Sequence, residues 1–267
     1  MPGETVTNRS FPLAGRVAVI TGASAGIGAA ITRSLSDAGV FCVVNGRRSQ
    51  QLEDLCHELG PEDVTPVVGD CADDVVIERM LDVAKVSLGT KGREADIVVI
   101  NAGRGLAGSA VTSDAAQWEE MLRTNILGAA RLLRAAAQRM LADKKSDDRR
   151  AGPRDIIVLG STVGRHISPF SSMYGSTKFA VNSLAEAARR ELGPQGVRVT
   201  LIEPGFVESE FQGVAGYKPE WFAEVKGRIG PVLTPEDVAR SVRFVVDQPE
   251  HVHVSDILIR PTRQDYP

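Results

Sequence analysis

Short apolar runs and longer stretches of helical period alternate along the whole chain. RVAVI (16–20) is apolar at consecutive positions and ends in glycine chemistry, the pattern of a parallel strand buried on both faces. A helical pattern follows from about Gly26 to Ala38 and stops at Gly39, a good C-terminal signal. VFCVVN (40–45) is the next strand, and the helical stretch 49–59 stops at Gly60-Pro61. VTPVVG (64–69), a helix over 72–87 and DIVVI (96–100) continue the series. A long helix covers about 114–141, with Ser113 or Asp114 as its cap. DIIVLG (155–160), a helix near 171–192, VRVTLI (197–202), a helix near 235–247 and SDILIR (255–260) complete the order.

Strands joined by helices in this order predict an α/β fold, a doubly wound seven-stranded parallel sheet with helices on both faces. One domain is expected over 14–267, behind an N-terminal extension of residues 1–13. The charged, Pro/Gly-bearing stretch 142–154 lies between a helix and a strand and reads as a surface loop. Segment 206–229, with Phe211, Tyr217, Trp221 and Phe222, has loose patterning and is expected to form a substrate lid.

Composition narrows the function classes. Of 267 residues, 43% are apolar and 24% charged, enough for a full core, and the net charge of −3 disfavours nucleic acid or an anionic membrane as partner. Cys42, Cys56 and Cys71 form no CxxC pair, which fits reduced thiols in a reducing compartment. The N-terminus lacks the charged and apolar regions of a secretory signal and no run is long enough to span a membrane, so a cytoplasmic location is expected and Asn8-Arg9-Ser10 reads as a chance glycosylation pattern. His166, His251 and His253 have no clustered carboxylates or thiols beside them, and no metal site is expected.

The chemistry collects at strand ends. TGASAGIG (21–28) follows the first strand, with Gly22, Gly26 and Gly28 spaced to turn the chain tightly and to let a pyrophosphate approach backbone N–H groups at a helix start. An acid about twenty residues on would take the ribose 2′-OH of NAD; here NGRR places Gly46 at that point and then Arg47 and Arg48, which suits the 2′-phosphate of NADP. Surface arginines at a helix start are the plainer alternative. Asp70 ends the third strand, where it can accept from an adenine amine or cap the next helix, and NAG (Asn101, Ala102, Gly103) ends the fourth.

Tyr174 and Lys178 stand one helical turn apart among small residues, and Ser161 lies thirteen residues before the tyrosine at a strand end. A phenol with pKa about 10 is a poor base at neutral pH, and an ammonium beside it favours the phenolate. Ser161 can then bond a substrate carbonyl while Tyr174 gives or takes its proton.

In order along residues 14–262, TGxxxGxG, Asp70, NAG, Asn125 in TNILGA, Ser161, YxxxK and Pro204-Gly205 resemble the short-chain dehydrogenases/reductases of the classical type. The resemblance implies a single Rossmann domain and hydride transfer between NADP(H) and a carbonyl or alcohol. It implies Tyr174 as acid/base, Lys178 on the nicotinamide ribose, Ser161 on the substrate and Asn125 holding a water that links Lys178 to solvent. By the same resemblance the cofactor meets Ser24, Ala25 and Ile27 in the glycine turn, Arg47 and Arg48, Asp70 with Cys71, the NAG residues, and Pro204, Gly205, Val207 and Ser209. Ser209 stands where the family has a threonine. VSDILIRPT resembles the branch that includes clavulanic acid dehydrogenase and 3-hydroxy acid dehydrogenases.

Residues beyond the strand ends should line the substrate pocket: Arg104, Val163, Arg165, His166, Phe170 and Phe206. Arg104 or Arg165 could hold a carboxylate. LGAARLLRAAAQRM and AVNSLAEAARREL are apolar on more than one face, so a homodimer or homotetramer is expected. The reading is an NADP-dependent aldehyde or ketone reductase. An NAD-dependent alcohol dehydrogenase or epimerase of the same fold, and a nucleotide-binding sensor without chemistry, stay as alternatives.

Overall fold

A computed structural model describes residues 12–86, 92–143 and 152–266. All but the last two residues of the expected N-terminal extension, and most of the expected loop 142–154, lie outside the described residues.

The elements run β1 (Val17–Thr21), α1 (Gly26–Ser36), β2 (Phe41–Gly46), α2 (Ser49–Leu59), β3 (Val64–Val68), α3 (Asp74–Val86), β4 (Ile97–Ile100) and α4 (Trp118–Leu122). Then follow α5 (Ala129–Asp143), β5 (Arg154–Leu159), α6 (Ser172–Leu192), β6 (Val197–Pro204), α7 (Phe211–Val214), α8 (Pro219–Ile229), α9 (Pro235–Val246) and β7 (Asp256–Ile259). The strands form one seven-stranded sheet in the order β3-β2-β1-β4-β5-β6-β7, every pair parallel. The chain winds outward from β1 to β3, then returns to set β4 against β1. That reversal opens a crevice at the carboxyl ends of β1 and β4, where ligands bind in such sheets.

The strands read as unbroken apolar runs because both faces are buried. Val17 and Val19 point into one core with Val98, Ile100, Ile156 and Val158, under α3, α5 and α6. Ala18 and Ile20 point into the other with Ile97, Val99, Ile157 and Leu159, under α1 and α9. The two edge strands are less covered: in β3 Val64 and Val67 are buried while Thr65 and Val68 are exposed, and in β7 no residue is fully buried.

The amino edge of the sheet is closed by charge. Asp155, fully buried at the start of β5, accepts from Arg16 Nη2 at 2.7 Å and from Arg198 Nε and Nη2 at 2.7 and 3.0 Å. Arg198 also donates to the carbonyls of Gln248, Pro249 and Val252, tying the end of α9 to β6.

Two local departures bear on the site. The expected single helix 114–141 is broken: Asp114 caps a short 3-10 turn, α4 follows, and residues Arg123–Gly128 form a π-helical turn before α5. The loosely patterned stretch 206–229 holds α7 and α8. Among the described residues no helix is long and apolar enough to cross a membrane.

Candidate active site

The turn after β1 is shaped by contacts that exclude side chains. A Cβ on Gly28 would lie 2.3 Å from the Gly22 carbonyl oxygen, and Gly22 itself has φ +67° with Ala102 Cα 2.9 Å from where its Cβ would stand. Thr21 and Asn101 brace this turn. Thr21 Oγ1 accepts from the N–H groups of Asn101 and Ala102, each at 3.1 Å, and Asn101 Nδ2 donates to the Thr21 carbonyl at 2.9 Å. Helix α1 starts at Gly26 with no side-chain cap, since Ala25 has no oxygen to offer. Its first N–H groups therefore remain available to an anion. Gly22, Ala25, Gly26 and Ile27 line a cleft of about 450 Å³ that runs on past Asn101, Ala102 and Gly103 to Ser161, Tyr174 and Lys178. Narrow backbone, open helix terminus and cleft together fit a dinucleotide.

The two arginines after β2 diverge. Arg48 lines the cleft, with Nε and Nη2 at 3.3 and 3.2 Å from Ser24 Oγ and Nη1 at 2.8 Å from Glu210 Oε2. Arg47 instead reaches Glu120 Oε1 at 2.8 Å, and its side chain is 66% exposed. Asp70 accepts from the Ala72 N–H at 2.9 Å and from Arg123 Nε at 3.1 Å. Neither Asp70 nor Cys71 is among the cleft-lining residues.

Lys178, buried on α6, donates to the Leu159 carbonyl at 2.8 Å, and burial pushes its pKa down to about 8. Tyr174, one turn earlier and also buried, lines the same cleft as Ser161, and its ring lies 5.6 Å from that of Phe211. The sequence reading has Lys178 lowering the tyrosine pKa. In the structure burial dominates and pushes Tyr174 up, with nearby Ser161 opposing it. The ammonium is turned to the Leu159 carbonyl and stands 5.9 Å from the phenol ring centroid, too weakly placed to reverse that cost.

Asn125 sits inside the π-helical turn, and its amide is fully engaged by protein. Oδ1 accepts from the Arg104 N–H at 2.7 Å, while Nδ2 donates to the Arg104 carbonyl and to Thr177 Oγ1, both at 2.9 Å. The side chain thus clamps the loop after β4 to α6.

Of the residues expected at the substrate pocket, Val163, Phe170 and Phe206 line the cleft with Ser161. Three others do not. Arg104 is drawn away by Glu120 and Gln117, Arg165 pairs with the buried Glu203 and with Asp256, and His166 meets Arg260. Each side chain goes to a nearby carboxylate or polar partner contributed by a different part of the chain. The sequence reading missed Arg228, Ser171, Glu210 and Tyr266, which also line the cleft. Tyr266 lies in the tail beyond β7, and a lone aromatic among polar residues carries no period to mark it. His253 bonds the backbone of Val199, and among the described residues no group of three or more His, Cys, Asp or Glu could hold a metal ion.

The family model for short chain dehydrogenases matches residues 16–218. An uncharacterized oxidoreductase of Staphylococcus aureus strain USA300 is 30% identical over 249 residues, covering 93% of this chain and 98% of its own. Among solved structures, a closed form of serine dehydrogenase complexed with NADP+ is 33% identical with a TM-score of 0.82, over 94% of this chain and 96% of that one. An alcohol dehydrogenase of the archaeon Thermococcus sibiricus, complexed with 5-hydroxy-NADP, is 29% identical with a TM-score of 0.78, over 94% and 99%. With the glycine turn, the Ser-Tyr-Lys set and the sheet order all in place, the chain belongs to the short-chain dehydrogenase family of oxidoreductases.

Proposed function

We propose that this oxidoreductase reduces an aldehyde or ketone with NADPH, with Tyr174 as the proton donor. The observation that carries the reading is that Ser161, Tyr174 and Lys178 line the same cleft as the glycine turn. Gly22, Ala25, Gly26 and Ile27 would hold the pyrophosphate, Arg48 with Ser24 the 2′-phosphate, and Lys178 the nicotinamide ribose. When bound, the nicotinamide supplies the hydride. The NADP complexes of serine dehydrogenase and of the archaeal alcohol dehydrogenase support this choice of nucleotide.

The chain's own residues handle the proton. Burial favours the protonated form of Tyr174, the state a donor to carbonyl oxygen needs. Ser161, in the same cleft as the phenol, can bond the substrate oxygen that Tyr174 protonates, fixing the line of transfer. Lys178, with its pKa near 8, can carry a proton toward the tyrosine at neutral pH. Asn125 acts here as a clamp on the loop after β4, since its amide is committed to Arg104 and Thr177. Segment 206–229 serves as the lid. Ser209 sits over the glycine turn, where its Cβ is 3.5 Å from the point a Gly26 Cβ would occupy.

The test is Tyr174→Phe, which removes the proton donor and little volume. Turnover of NADPH with a carbonyl panel should fall about 10²- to 10⁴-fold while the Kd for NADPH holds. A kcat near that of the wild type would end this mechanism.

A further inference from the structure

We propose that the substrate is a neutral carbonyl compound with a bulky apolar or aromatic body, held against a wall made by the lid and the C-terminal tail. The proposal rests on the hydride-transfer reading above. Beyond Ser161 and Tyr174 the cleft is lined by rings: Phe170, Phe206, Phe211, Tyr217, Trp221 and Tyr266. Three of them are in ring contact. Tyr217 and Trp221 stack at 5.0 Å between centroids with 19° between planes, and Phe206 meets Trp221 at 6.0 Å. Phe170, Trp221 and Tyr266 are 74%, 39% and 42% exposed, so apolar area around the cleft is left for a ligand to cover.

The arginines lining the cleft already have carboxylate partners. Arg48 pairs with Glu210 at 2.8 Å, Arg228 with Asp265 at 3.1 Å, and Lys178 is bound to the Leu159 carbonyl. Arg104 and Arg165, the two side chains able in principle to grip a carboxylate, are turned into Glu120 and Glu203. An acidic substrate would have to compete with these carboxylates for the arginines, whereas an apolar one needs only to displace water from the rings.

The tail makes this wall part of the fold. Gln264 is buried and its Oε1 accepts from the Phe206 N–H at 3.0 Å; Asp265 takes the ion pair from α8; Tyr266 Oη donates to the Ile167 carbonyl. Three consecutive residues thus bind the exit of β6, the lid helix and the loop after β5. Tyr266 is thereby set at the rim of the cleft facing the lid aromatics.

The experiment measures kcat/KM with NADPH for butanone, hexanone, octanone and benzylacetone against acetoacetate, in the wild type and in Trp221→Ala, Tyr266→Ala and Arg228→Ala. We expect about a fourfold rise per added methylene. Benzylacetone should exceed acetoacetate at least about tenfold, and the octanone-to-butanone ratio should fall severalfold in Trp221→Ala and Tyr266→Ala. A flat ketone series overturns the proposal. So does a preference for acetoacetate that Arg228→Ala abolishes, which would make Arg228 a carboxylate anchor; either result leaves hydride transfer intact. Absence of NADPH consumption with every carbonyl, and of NADP reduction with the matching alcohols, would instead bring down the proposed function and this inference together.

Discussion

Replacing Arg48 by alanine should weaken NADPH binding and spare NADH. The sequence reading sets Arg47 beside the adenosine ribose, because it directly follows the strand end. In the structure Arg48 takes the cleft side, holding Ser24 Oγ at 3.2–3.3 Å, and Arg47 swings to Glu120 on the other. A charge-assisted bond to a phosphate contributes about 1.5–3 kcal/mol. Arg48 also has a standing pair with Glu210, but that pair is exposed on both sides (43% and 63%), where such contacts are worth about 0–1 kcal/mol. Subtracting what Arg48 gives up leaves about 0.5–3 kcal/mol, or roughly a two- to 150-fold rise in the Kd for NADPH. Arg47→Ala should cost less, since its guanidinium is two-thirds exposed and already committed.

The assay is fluorescence titration of NADPH and NADH in wild type, Arg48→Ala, Arg47→Ala and Glu210→Gln, at low and at physiological ionic strength. Glu210→Gln should tighten NADPH a fewfold by freeing Arg48. The obvious change toward NADH, Gly46→Asp, meets an obstacle. Its Cβ would stand 3.1 Å from both Cβ and Oγ of Ser24, so it should be made together with Ser24→Gly. An unchanged Kd for NADPH in Arg48→Ala refutes the placement of the phosphate. Wild-type binding of NADH as tight as that of NADPH refutes the choice of nucleotide.

Asp155→Asn should strand Arg16 and Arg198 without the carboxylate they share, at a cost of about 3–5 kcal/mol and a Tm lower by about 6–20 °C; a fall under about 2 °C in scanning calorimetry would contradict this. Lys178 has a folded pKa of about 8 against an unfolded value near 10.4, so between those pH values the unfolded chain binds the extra proton and stability rises with pH. Lys178→Met should therefore exceed the wild type in stability at pH about 7 and lose that advantage toward pH about 10, by urea unfolding; a constant gap would show no buried-ammonium cost. We also expect a homodimer or homotetramer, because Leu127 and Phe179 are 49% and 40% exposed beside the α5–α6 face. Light scattering that gives a monomer at micromolar concentration would reject it.

How much of this was legible follows from where each signal resides. The inner strands declare themselves within a residue or two because burial on both faces leaves no polar alternation. Their charged starts, Arg16, Asp155 and Arg198, read as solvent-exposed ends until the sheet brings three distant strands together. The π-helical turn at Asn125 has no local signature, since it is fixed by bonds from Asn125 to Arg104 and Thr177, far off in sequence. Helix α8 could have been read: Pro219 at its first turn, Glu220 after it and Lys226 and Arg228 in the last turn are ordinary helix signals, masked by the aromatic content of the stretch. Arg104 and Arg165 show the limit most clearly. A guanidinium beside a strand end looks the same whether it awaits a ligand or answers Glu120 or Glu203.

The two edges of the sheet divide the work of the protein. At the amino edge, buried charges join β1, β5, β6 and the end of α9, and separating them would leave ions unpaired in the core. At the carboxyl edge the chain has removed side chains instead, at Gly22, Gly28, Gly105 and Gly205, each holding a neighbour where a Cβ would stand. The segment above that edge is held by contacts of another kind. Ala107 N–H bonds the Ala215 carbonyl at 2.8 Å, but Arg48–Glu210 and Arg228–Asp265 are exposed ion pairs of little individual worth. Opening 206–229 therefore costs far less than disturbing the strands that carry Ser161 and the glycine turn. Salt should loosen segment 206–229 more than the strands beneath it, because screening reaches Glu210 and Asp265 and does not reach Asp155.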